Sequence, residues 1–257
     1  MHNESDRWVG RNPAKDELRE QIWSALESAG AVDGDPRGSI PDFEGADRAA
    51  ARLASLDIWK QATVIKCTPD ACQAPIRLRA LQEGKLLYMA YPQLVVYPCF
   101  LELDAAELTR NGVAFETAST MEGAIEHGRL VPFDEMRHID IVNVGSVAVT
   151  PAGGRTGKGA GFADLELALL RDAGLVDEST AICTTVHPLS VVDDALLPMT
   201  PTDSTVDYIV TETETLRATS PQSGPTGIQW DLLEADQIES IPILAMLNAA
   251  RTPGSAE

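Results

Sequence analysis

An apolar run that leads directly into a glycine-rich loop constrains the fold more than any other part of this chain. The run covers Ile139 to Val149, and the loop at 154–161 holds four glycines with Arg155 and Lys158 between them. A helical pattern begins at Phe162. Nearly continuous apolar character predicts a central strand buried on both faces. The loop is then expected at the carboxyl end of that strand, where open α/β sheets bind ligands.

The composition of this loop suits an anion. Glycine lets backbone N–H groups approach a ligand closely, and the following helix N-terminus adds a partial positive charge to that of Arg155 and Lys158. We therefore predict a phosphate site. The loop fits neither the GxxxxGK[ST] nor the GxGxxG pattern, so a simple glycine turn is the alternative.

The rest of the chain alternates between strand and helix patterns. Helices are predicted over 13–29, 45–56, 75–82, 104–111 (helix or turn) and 162–173, and a pair over 230–247 interrupted at Pro242. Strands are predicted over 62–67, 86–90, 95–103, 139–149, 180–187 and 206–211, with loops at 32–43 and 221–227. The segment 117–130 has no clear pattern. This alternation predicts an α/β fold, a three-layer Rossmann-like sheet with helices on both faces, in a single domain spanning 1–257.

The charge balance limits the partners of the chain. It has 20 basic and 39 acidic residues, a net charge of −19, and the acidic residues are spread along its whole length. Such a surface is similar to that of cytosolic proteins from salt-loving archaea, and it argues against nucleic-acid binding through a basic footprint. An acidic tail or a basic partner is the rival interpretation, which the even spread disfavours.

The cellular compartment is predicted from three further features. No apolar stretch is long enough for a membrane span, and the start of the chain, 1–11, is polar without a visible secretory signal. The four cysteines lack zinc or disulfide spacing. We therefore expect a cytoplasmic protein with reduced cysteines and no membrane partner.

Three isolated features leave two interpretations each. Lys15 and Arg19 lie one turn apart on the first predicted helix, either as surface cations paired with nearby acids or as anion ligands. His187, at the end of an apolar strand, is read as a hydrogen-bonded structural histidine rather than a catalytic base. Trp59 is read as a packed aromatic rather than a stacking platform.

Three segments together resemble the motifs of one known family. Lys15 to Arg19 reads as KxxxR, 153–164 reads as GxRxGxGxGYYD, and 202–212 reads as HDxxxDxxxTE. These are similar, in order and separation, to the motifs of the 5-formyltetrahydrofolate cyclo-ligases, also called methenyltetrahydrofolate synthetases. The GSVAV sequence at 145–149 and GKGAGFADLE at 157–166 resemble a divergent branch, the methenyltetrahydrofolate synthase domain-containing proteins.

The resemblance implies a fold of the type shared with sugar-phosphate isomerases and CoA transferases. It also implies a reaction in which ATP and Mg²⁺ drive closure of 5-formyltetrahydrofolate to 5,10-methenyltetrahydrofolate. The formyl oxygen is phosphorylated, and N10 then attacks the activated carbon and expels phosphate. The expected partner is thus a small reduced folate.

Residue roles follow from the same resemblance, by motif position. ATP would be held by Lys15, Arg19, Arg155, Thr156, Gly157, Lys158, Gly159, Ala160 and Gly161. Arg155 and Lys158 would be catalytic, since they stabilise charge on the transferring phosphoryl group, and Lys158 and Phe162 would contact the substrate. Asp164 and Asp203 would bind Mg²⁺. The alternatives are a carboxylate that complements the helix dipole for Asp164 and a turn aspartate for Asp203.

The sequence departs from the family on the folate side. The family's glutamate-containing ExxT segment after the first strand corresponds to Cys72–Arg77, which has no glutamate, and Ala163 and Thr202 replace a tyrosine and a histidine. Arg77 and Arg79 would meet a folate carboxylate or form salt bridges on the helix surface. Three hypotheses remain: a cyclo-ligase, a related ATP-dependent enzyme with another substrate, or a nucleotide- or folate-binding protein without turnover.

Overall fold

A mixed β-sheet of eight strands forms the centre of the computed structural model, which describes residues 12–219 and 224–251. In chain order the strands are β1 (Val64–Cys67), β2 (Leu86–Ala90), β3 (Phe100–Leu103), β4 (Arg129–Val131), β5 (Ile141–Asn143), β6 (Ala148–Val149), β7 (Arg155–Thr156), β8 (Ala181–Thr185), β9 (Tyr208–Val210) and β10 (Thr215–Arg217). The order across the large sheet is β10-β9-β8-β5-β1-β2-β3-β4, and β6 and β7 form a separate hairpin. Strands β9, β8, β5, β1 and β2 are mutually parallel, and antiparallel strands extend both edges.

Helices cover both faces of this sheet. They are α1 (Pro13–Ser28), α2 (Ala46–Ser55), α3 (Asp57–Gln61), α4 (Ala74–Gln82), α5 (Ala105–Arg110), α6 (Phe115–Ala118), α7 (Met121–His127), α8 (Phe162–Asp172), α9 (Ala235–Ser240) and α10 (Pro242–Arg251). One apolar core joins the sheet to α8 and α10, and a second joins its other face to α2 to α7. The predicted α/β architecture is confirmed.

The direction of the strand order reverses between β1 and β5. From β1 the chain moves to β2 on one side, whereas β5 pairs with β1 on the other side. In an open α/β sheet the carboxyl ends of strands at such a reversal form a crevice. Helix α1 and the β6–β7 hairpin pack together in a third apolar cluster beside this end, through residues such as Leu18, Ile22, Val147 and Ala148.

The single strand predicted over 139–149 is wrong in its length. Only Ile141–Asn143 belongs to the large sheet, where β5 lies centrally as predicted, and the chain then leaves the sheet before β6. Apart from Asp140, which is partly exposed, the run is nonetheless buried, because β6 packs under α1 instead of continuing in the sheet. The apolar pattern therefore continues across the gap between β5 and β6, and only the backbone pairing shows where the strand of the large sheet ends.

Other element boundaries differ more modestly from those predicted. The strand expected over 95–103 is reduced to β3, because residues 92–94 form a turn of 3-10 helix and a cis peptide bond precedes Pro98. The segment 117–130, which had no assignment, holds the end of α6, all of α7 and the start of β4. Helix α3 and strand β10 were not predicted. The polar start at 1–11 lies outside the described residues, as does the first part of the loop expected at 221–227.

Candidate functional site

Helix α1 carries two cations into the interior beside the glycine loop. The side chain of Asn12 caps the helix by accepting a hydrogen bond from the backbone N–H of Lys15. Lys15 and Arg19 are 4% and 6% exposed, so the interpretation of both as surface cations is wrong. A charged side chain is rarely buried unless it has ion-pair or hydrogen-bond partners. The partners of Lys15 and Arg19 therefore indicate what these side chains do.

Lys15 and Arg19 find those partners in distant parts of the chain. The Nζ of Lys15 forms an ion pair with Asp203. Arg19 donates from Nε to the carbonyl oxygen of Gly157 at 2.7 Å and from its terminal NH2 to Thr156 Oγ1 at 2.9 Å, and it pairs with Asp16 on its own helix. Helix α1 is thereby fixed to the start of the glycine loop.

The β6–β7 hairpin determines where the glycine loop begins. Val149 pairs with Arg155 across the hairpin, and the turn between them docks on the chain before β9, where Val206 N donates to the Gly153 carbonyl at 2.9 Å. Beyond β7, Gly159 and Gly161 have φ values of +119° and +77°, which other residues rarely adopt. Gly161 also precedes α8 without a side-chain cap, so the first N–H groups of α8 face the loop.

Arg155 lies at the base of the loop and is 2% exposed. It donates from one terminal nitrogen to Asp164 Oδ1 at 2.7 Å and from the other to the carbonyl oxygen of Gly145 at 3.3 Å. Its Nε is buried and has no hydrogen-bond partner. Gly145 lies two residues beyond the end of β5, so Arg155 connects the loop to the carboxyl end of the central strand.

The two predicted metal ligands lie close together. Asp164, in the first turn of α8, accepts a hydrogen bond at 2.9 Å from the backbone N–H of Ser204, the residue after Asp203. Both carboxylates are ion-paired, Asp164 with Arg155 and Asp203 with Lys15. Within 12–219 and 224–251 there is no group of three or more metal-ligand side chains.

Asp70 is a site residue that the sequence analysis missed. It lies just beyond the carboxyl end of β1, and its carboxylate is 3.5 Å from Lys158 Nζ. Its Oδ2 also lies against Gly145, where an added Cβ would approach it to 2.7 Å. A carboxylate directly after the first parallel strand is the signal that would have indicated it, because strand ends at the sheet reversal meet the loop.

Arg77 positions the Asp70 loop and is not free for a ligand. This side chain is 1% exposed and donates to the backbone carbonyl oxygens of Ser119, Thr68 and Asp70. Both roles considered for Arg77 from sequence, a folate contact or a surface salt bridge, are therefore wrong. Arg79 lies 4.0 Å from Glu83 on the helix surface, as the second interpretation predicted.

Trp59 and His187 have the structural roles predicted for them, whereas the substrate contact predicted for Phe162 stays a prediction. The indole of Trp59 is fully buried and donates to Glu83. His187 accepts a hydrogen bond at Nδ1 from the backbone N–H of Leu189, and burial lowers the pKa of its imidazole, which is therefore neutral at neutral pH. Both interpretations are confirmed. Phe162, expected beside the substrate, lies at the start of α8 and packs against the core under the sheet.

The cations of the site are balanced by an equal number of carboxylates. Lys15, Arg19, Arg155 and Lys158 pair with Asp203, Asp16, Asp164 and Asp70 respectively. Desolvation lowers the pKa of the Arg19 guanidinium, whereas Asp16 and Asp203 act to raise it. Since arginine does not lose its proton in proteins, Arg19 holds its charge despite this burial. An anion that enters must therefore compete with carboxylates or bring its own cation.

A family model places this chain among known proteins. The model of the 5-formyltetrahydrofolate cyclo-ligase family matches residues 11–212, which include all the residues described above as the site. The match therefore covers well over half of the chain.

Individual relatives agree with the family match. The chain is 35% identical over 237 residues to a methenyltetrahydrofolate synthase domain-containing protein of Bos taurus, which covers 91% of this chain and 62% of that protein. Proteins of the same name in Homo sapiens and Danio rerio are each 34% identical and cover 92% and 93% of this chain. The chain spans only 62% and 63% of the length of those two relatives.

A solved structure shares the fold. The NMR structure of 5,10-methenyltetrahydrofolate synthetase from Aquifex aeolicus superimposes with a TM-score of 0.52 at 19% sequence identity, over 81% of this chain and 95% of that one. Among the helices of the described residues, none has the length and apolarity required to cross a bilayer.

Proposed function

This chain belongs to the 5-formyltetrahydrofolate cyclo-ligase family, and on that premise we propose that it closes 5-formyltetrahydrofolate to 5,10-methenyltetrahydrofolate with ATP and Mg²⁺. The observation that carries the proposal is the convergence of Lys15, Arg19, Arg155 and Lys158 on one glycine loop at the sheet reversal. Two of these cations come from α1 and two from the loop. Four cations at a helix N-terminus suit a polyphosphate better than any neutral ligand.

The residues at the loop fit a nucleoside triphosphate. Arg155 Nε and Ser204 Oγ are buried without a hydrogen-bond partner, and both lie next to Asp164. Buried polar atoms without partners are uncommon, and an unbound ligand is one explanation for them. At Gly157 an added Cβ would lie 2.9 Å from an Arg155 nitrogen, so a side chain there would displace this guanidinium.

The carboxylates fit Mg²⁺. This ion is usually bound by one or two carboxylates together with substrate phosphates and water, so a dedicated cluster of protein ligands is not needed. Asp164 and Asp203 are the two carboxylates, brought together by the Ser204 backbone. Anion entry between Lys15 and Arg155 would free both for the ion.

The reaction transfers the γ-phosphoryl group to the formyl oxygen, after which N10 attacks the formyl carbon, loses its proton, and phosphate leaves as the C–O bond breaks. Arg155 and Lys158 stabilise the negative charge on the transferring group, and Lys15 and Arg19 hold the remaining phosphates. These cations already lie beside the loop, and the ligand phosphates replace the carboxylates Asp203 and Asp164 as the partners of Lys15 and Arg155. Phe162 and Lys158 form the substrate side of the loop.

Asp70 supplies the carboxylate that the folate side lacked in the sequence analysis. It lies at the carboxyl end of β1 next to Lys158, and Arg77 holds the backbone of its loop in place. A carboxylate there can accept hydrogen bonds from the N–H groups of a pteridine ring. We propose Asp70 as the residue that orients the reduced folate relative to Lys158.

A second candidate function is a family member that takes another substrate, or that binds nucleotide or folate without turnover. It is favoured by the contact between Asp70 and Lys158 and by the complete use of Arg77 by backbone carbonyls. Within the part of the chain that the structure describes, Arg77 and Lys158 both have partners already, so neither is free to meet a folate carboxylate. The identity of the substrate is therefore what the experiment must test.

The deciding experiment follows the absorbance of the methenyl product with ATP, Mg²⁺ and 5-formyltetrahydrofolate. Lys158→Ala is expected to lower turnover by about two orders of magnitude or more, the usual effect of removing a group that stabilises transition-state charge. Lys60→Ala, which removes an exposed lysine paired only with Asp57, is the matched control and should leave turnover unchanged.

The outcomes separate the two candidates. Product formation that requires ATP and Lys158 supports the cyclo-ligase. No product from the wild type, together with an ATP-dependent rise in melting temperature, would favour the second candidate.

A further inference from the structure

We propose that Gln229 is a positioning residue for Asp203, the carboxylate assigned above to Mg²⁺. Gln229 belongs to the carboxyl-terminal segment 224–251, whereas the match to the family ends at residue 212. The inference rests on the proposed function, because it takes Asp203 as a ligand of Mg²⁺ that arrives with ATP. Gln229 acts through the backbone of the turn that carries Asp203.

A short turn from Thr200 to Asp203 presents the carboxylate. The N–H of Asp203 donates to the carbonyl oxygen of Thr200 at 3.1 Å, and the N–H of Thr200 donates back to Asp203 Oδ2. The same Oδ2 pairs with Lys15 Nζ. The next residue, Ser204, donates its N–H to Asp164 Oδ1 at 2.9 Å. The position of this turn therefore determines where both carboxylates lie relative to each other.

The side chain of Gln229 holds the middle of this turn. Its Nε2 donates a hydrogen bond to the carbonyl oxygen of Pro201 at 2.8 Å. The proline ring fixes φ at this position but leaves ψ free, so the ring alone does not fix the direction of the carbonyl group. The hydrogen bond from Gln229 supplies that restraint.

The two neighbours of Gln229 are anchored, so the side chain starts from a fixed point. On one side, the backbone N–H of Ile228 donates to Oδ2 of Asp172, the last residue of α8, at 3.1 Å. On the other side, Trp230 packs against the core. Its ring also lies 4.3 Å from the guanidinium carbon of Arg251. Gln229 therefore connects the turn to α8 and α10.

A second contact joins the same segment to the residues after Asp203. An added Cβ at Gly224 would lie 3.5 Å from Ser204 Cα, so the two backbones pass close to each other. The next residue, Pro225, accepts a hydrogen bond from Arg171 at 2.6 Å. A substitution at Gln229 removes the hydrogen bond to the turn and leaves this second contact in place.

The hydrogen bond from Gln229 matters most when the nucleotide is bound. Phosphates that bind Lys15 replace Asp203 as its partner, so Asp203 then depends on the turn for its position. Mg²⁺ requires nearly ideal octahedral geometry, and residues that orient a metal ligand affect the affinity for the metal. A turn that is free to move would therefore weaken Mg²⁺ binding more than phosphate binding.

The test measures ATP binding to the full chain by isothermal titration calorimetry, once with Mg²⁺ and once without metal in EDTA. Gln229→Met keeps the length of the side chain and removes its hydrogen-bond donor. It should weaken binding of ATP with Mg²⁺ by about fivefold, the effect of one ordinary hydrogen bond, and leave metal-free binding within about twofold. In the turnover assay, the Mg²⁺ concentration for half-maximal rate should rise about fivefold while kcat at saturating Mg²⁺ stays within about twofold.

Two comparisons separate positioning from a general structural effect. Gln237→Ala removes a capping contact of α9 on the same segment, away from the turn, and should change neither affinity. In an Asp203→Asn background, Gln229→Met should cause no further loss of affinity for ATP with Mg²⁺, because the ligand that it positions is gone.

Unchanged affinity in Gln229→Met, equal loss with and without Mg²⁺, or equal loss in the Asp203→Asn background would each overturn the inference. Absence of ATP binding by the wild type would remove the proposed function and this inference with it. A selective loss of Mg²⁺-dependent binding without methenyl product from the wild type would keep the inference and remove the cyclo-ligase. Thermal melting checks the fold of each variant, and Gln229→Ala replaces Gln229→Met if the latter does not fold.

Discussion

The buried side chain of Arg155 limits which residues can lie next to it. Its two terminal nitrogens reach Asp164 and the Gly145 carbonyl, and one of them lies where a side chain on residue 157 would begin. A side chain at Gly145 would crowd Asp70 and one at Gly157 would crowd Arg155, whereas Gly159 and Gly161 are favoured by their positive φ. Glycine therefore occurs at these positions for two different physical reasons, close side-chain contact and backbone conformation.

At the residue scale we predict that Gly145→Ala disrupts the Asp70 carboxylate. The added Cβ would lie 2.7 Å from Asp70 Oδ2 and 3.0 Å from Ile40 Cγ1, so the side chain of Asp70 must move away from Lys158. Overpacking of this kind lowers the free energy of unfolding by about 1–3 kcal/mol. Urea denaturation measures the loss.

A double-mutant cycle identifies the cause of that loss. In an Asp70→Ala background the carboxylate is absent, so Gly145→Ala should cost less than in the wild type. Strictly additive losses would show that the contact with Asp70 is not the cause.

At the scale of elements, a buried ion pair joins the central sheet to the helix that carries Asp164. Lys66 on β1 pairs with Glu166 on α8, and their side chains are 0% and 6% exposed. A buried charge without its partner is far more costly than the intact pair. The pair therefore restricts how α8 can shift relative to the β1 end where Asp70 lies.

We predict that Lys66→Met lowers the free energy of unfolding by about 3–5 kcal/mol, because Glu166 is left buried without a partner. The double variant Lys66→Met/Glu166→Leu should recover most of that loss, since it removes both charges and keeps the volume. Chemical denaturation of the three proteins measures both effects. A double variant as unstable as the single one would mean that packing, not charge, dominates this position.

The whole molecule has nearly twice as many acidic as basic residues, 39 against 20, and few of its lysines are exposed. Of five lysines, Lys15, Lys66 and Lys85 are buried, which leaves Lys60 and Lys158 exposed. With a net charge of −19, repulsion between surface carboxylates opposes the compact state. The cytoplasmic location and the single-domain organisation remain predictions at this scale.

Added salt is therefore predicted to stabilise the protein. Raising KCl from about 0.1 M to about 1 M shortens the screening length from about 10 Å to about 3 Å, so the melting temperature should rise. A variant with three exposed acids neutralised (Asp134→Asn, Glu178→Gln and Glu239→Gln) should show a smaller rise, because it has less repulsion to screen. An equal rise in both proteins would attribute the effect to general salting-out.

The sequence alone determined the features that depend on local pattern. Helical periodicity predicted α1, α4 and α8 nearly to their ends, and β-branched or apolar runs predicted β1, β2, β8 and β9. The family resemblance was carried by three motifs whose residues the fold brings together. These features are local because each is set by side-chain spacing along a few turns or strands.

Only the tertiary structure decided which buried positions belong to the sheet and which charges meet. The apolar run is buried from Ile141 to Val149, so its division into β5 and β6 depends on pairing with Arg155–Thr156, not on composition. Lys15 with Asp203 and Lys158 with Asp70 are pairs formed across 188 and 88 positions of the chain. Burial and charge pairing depend on three-dimensional packing, which no local spacing encodes.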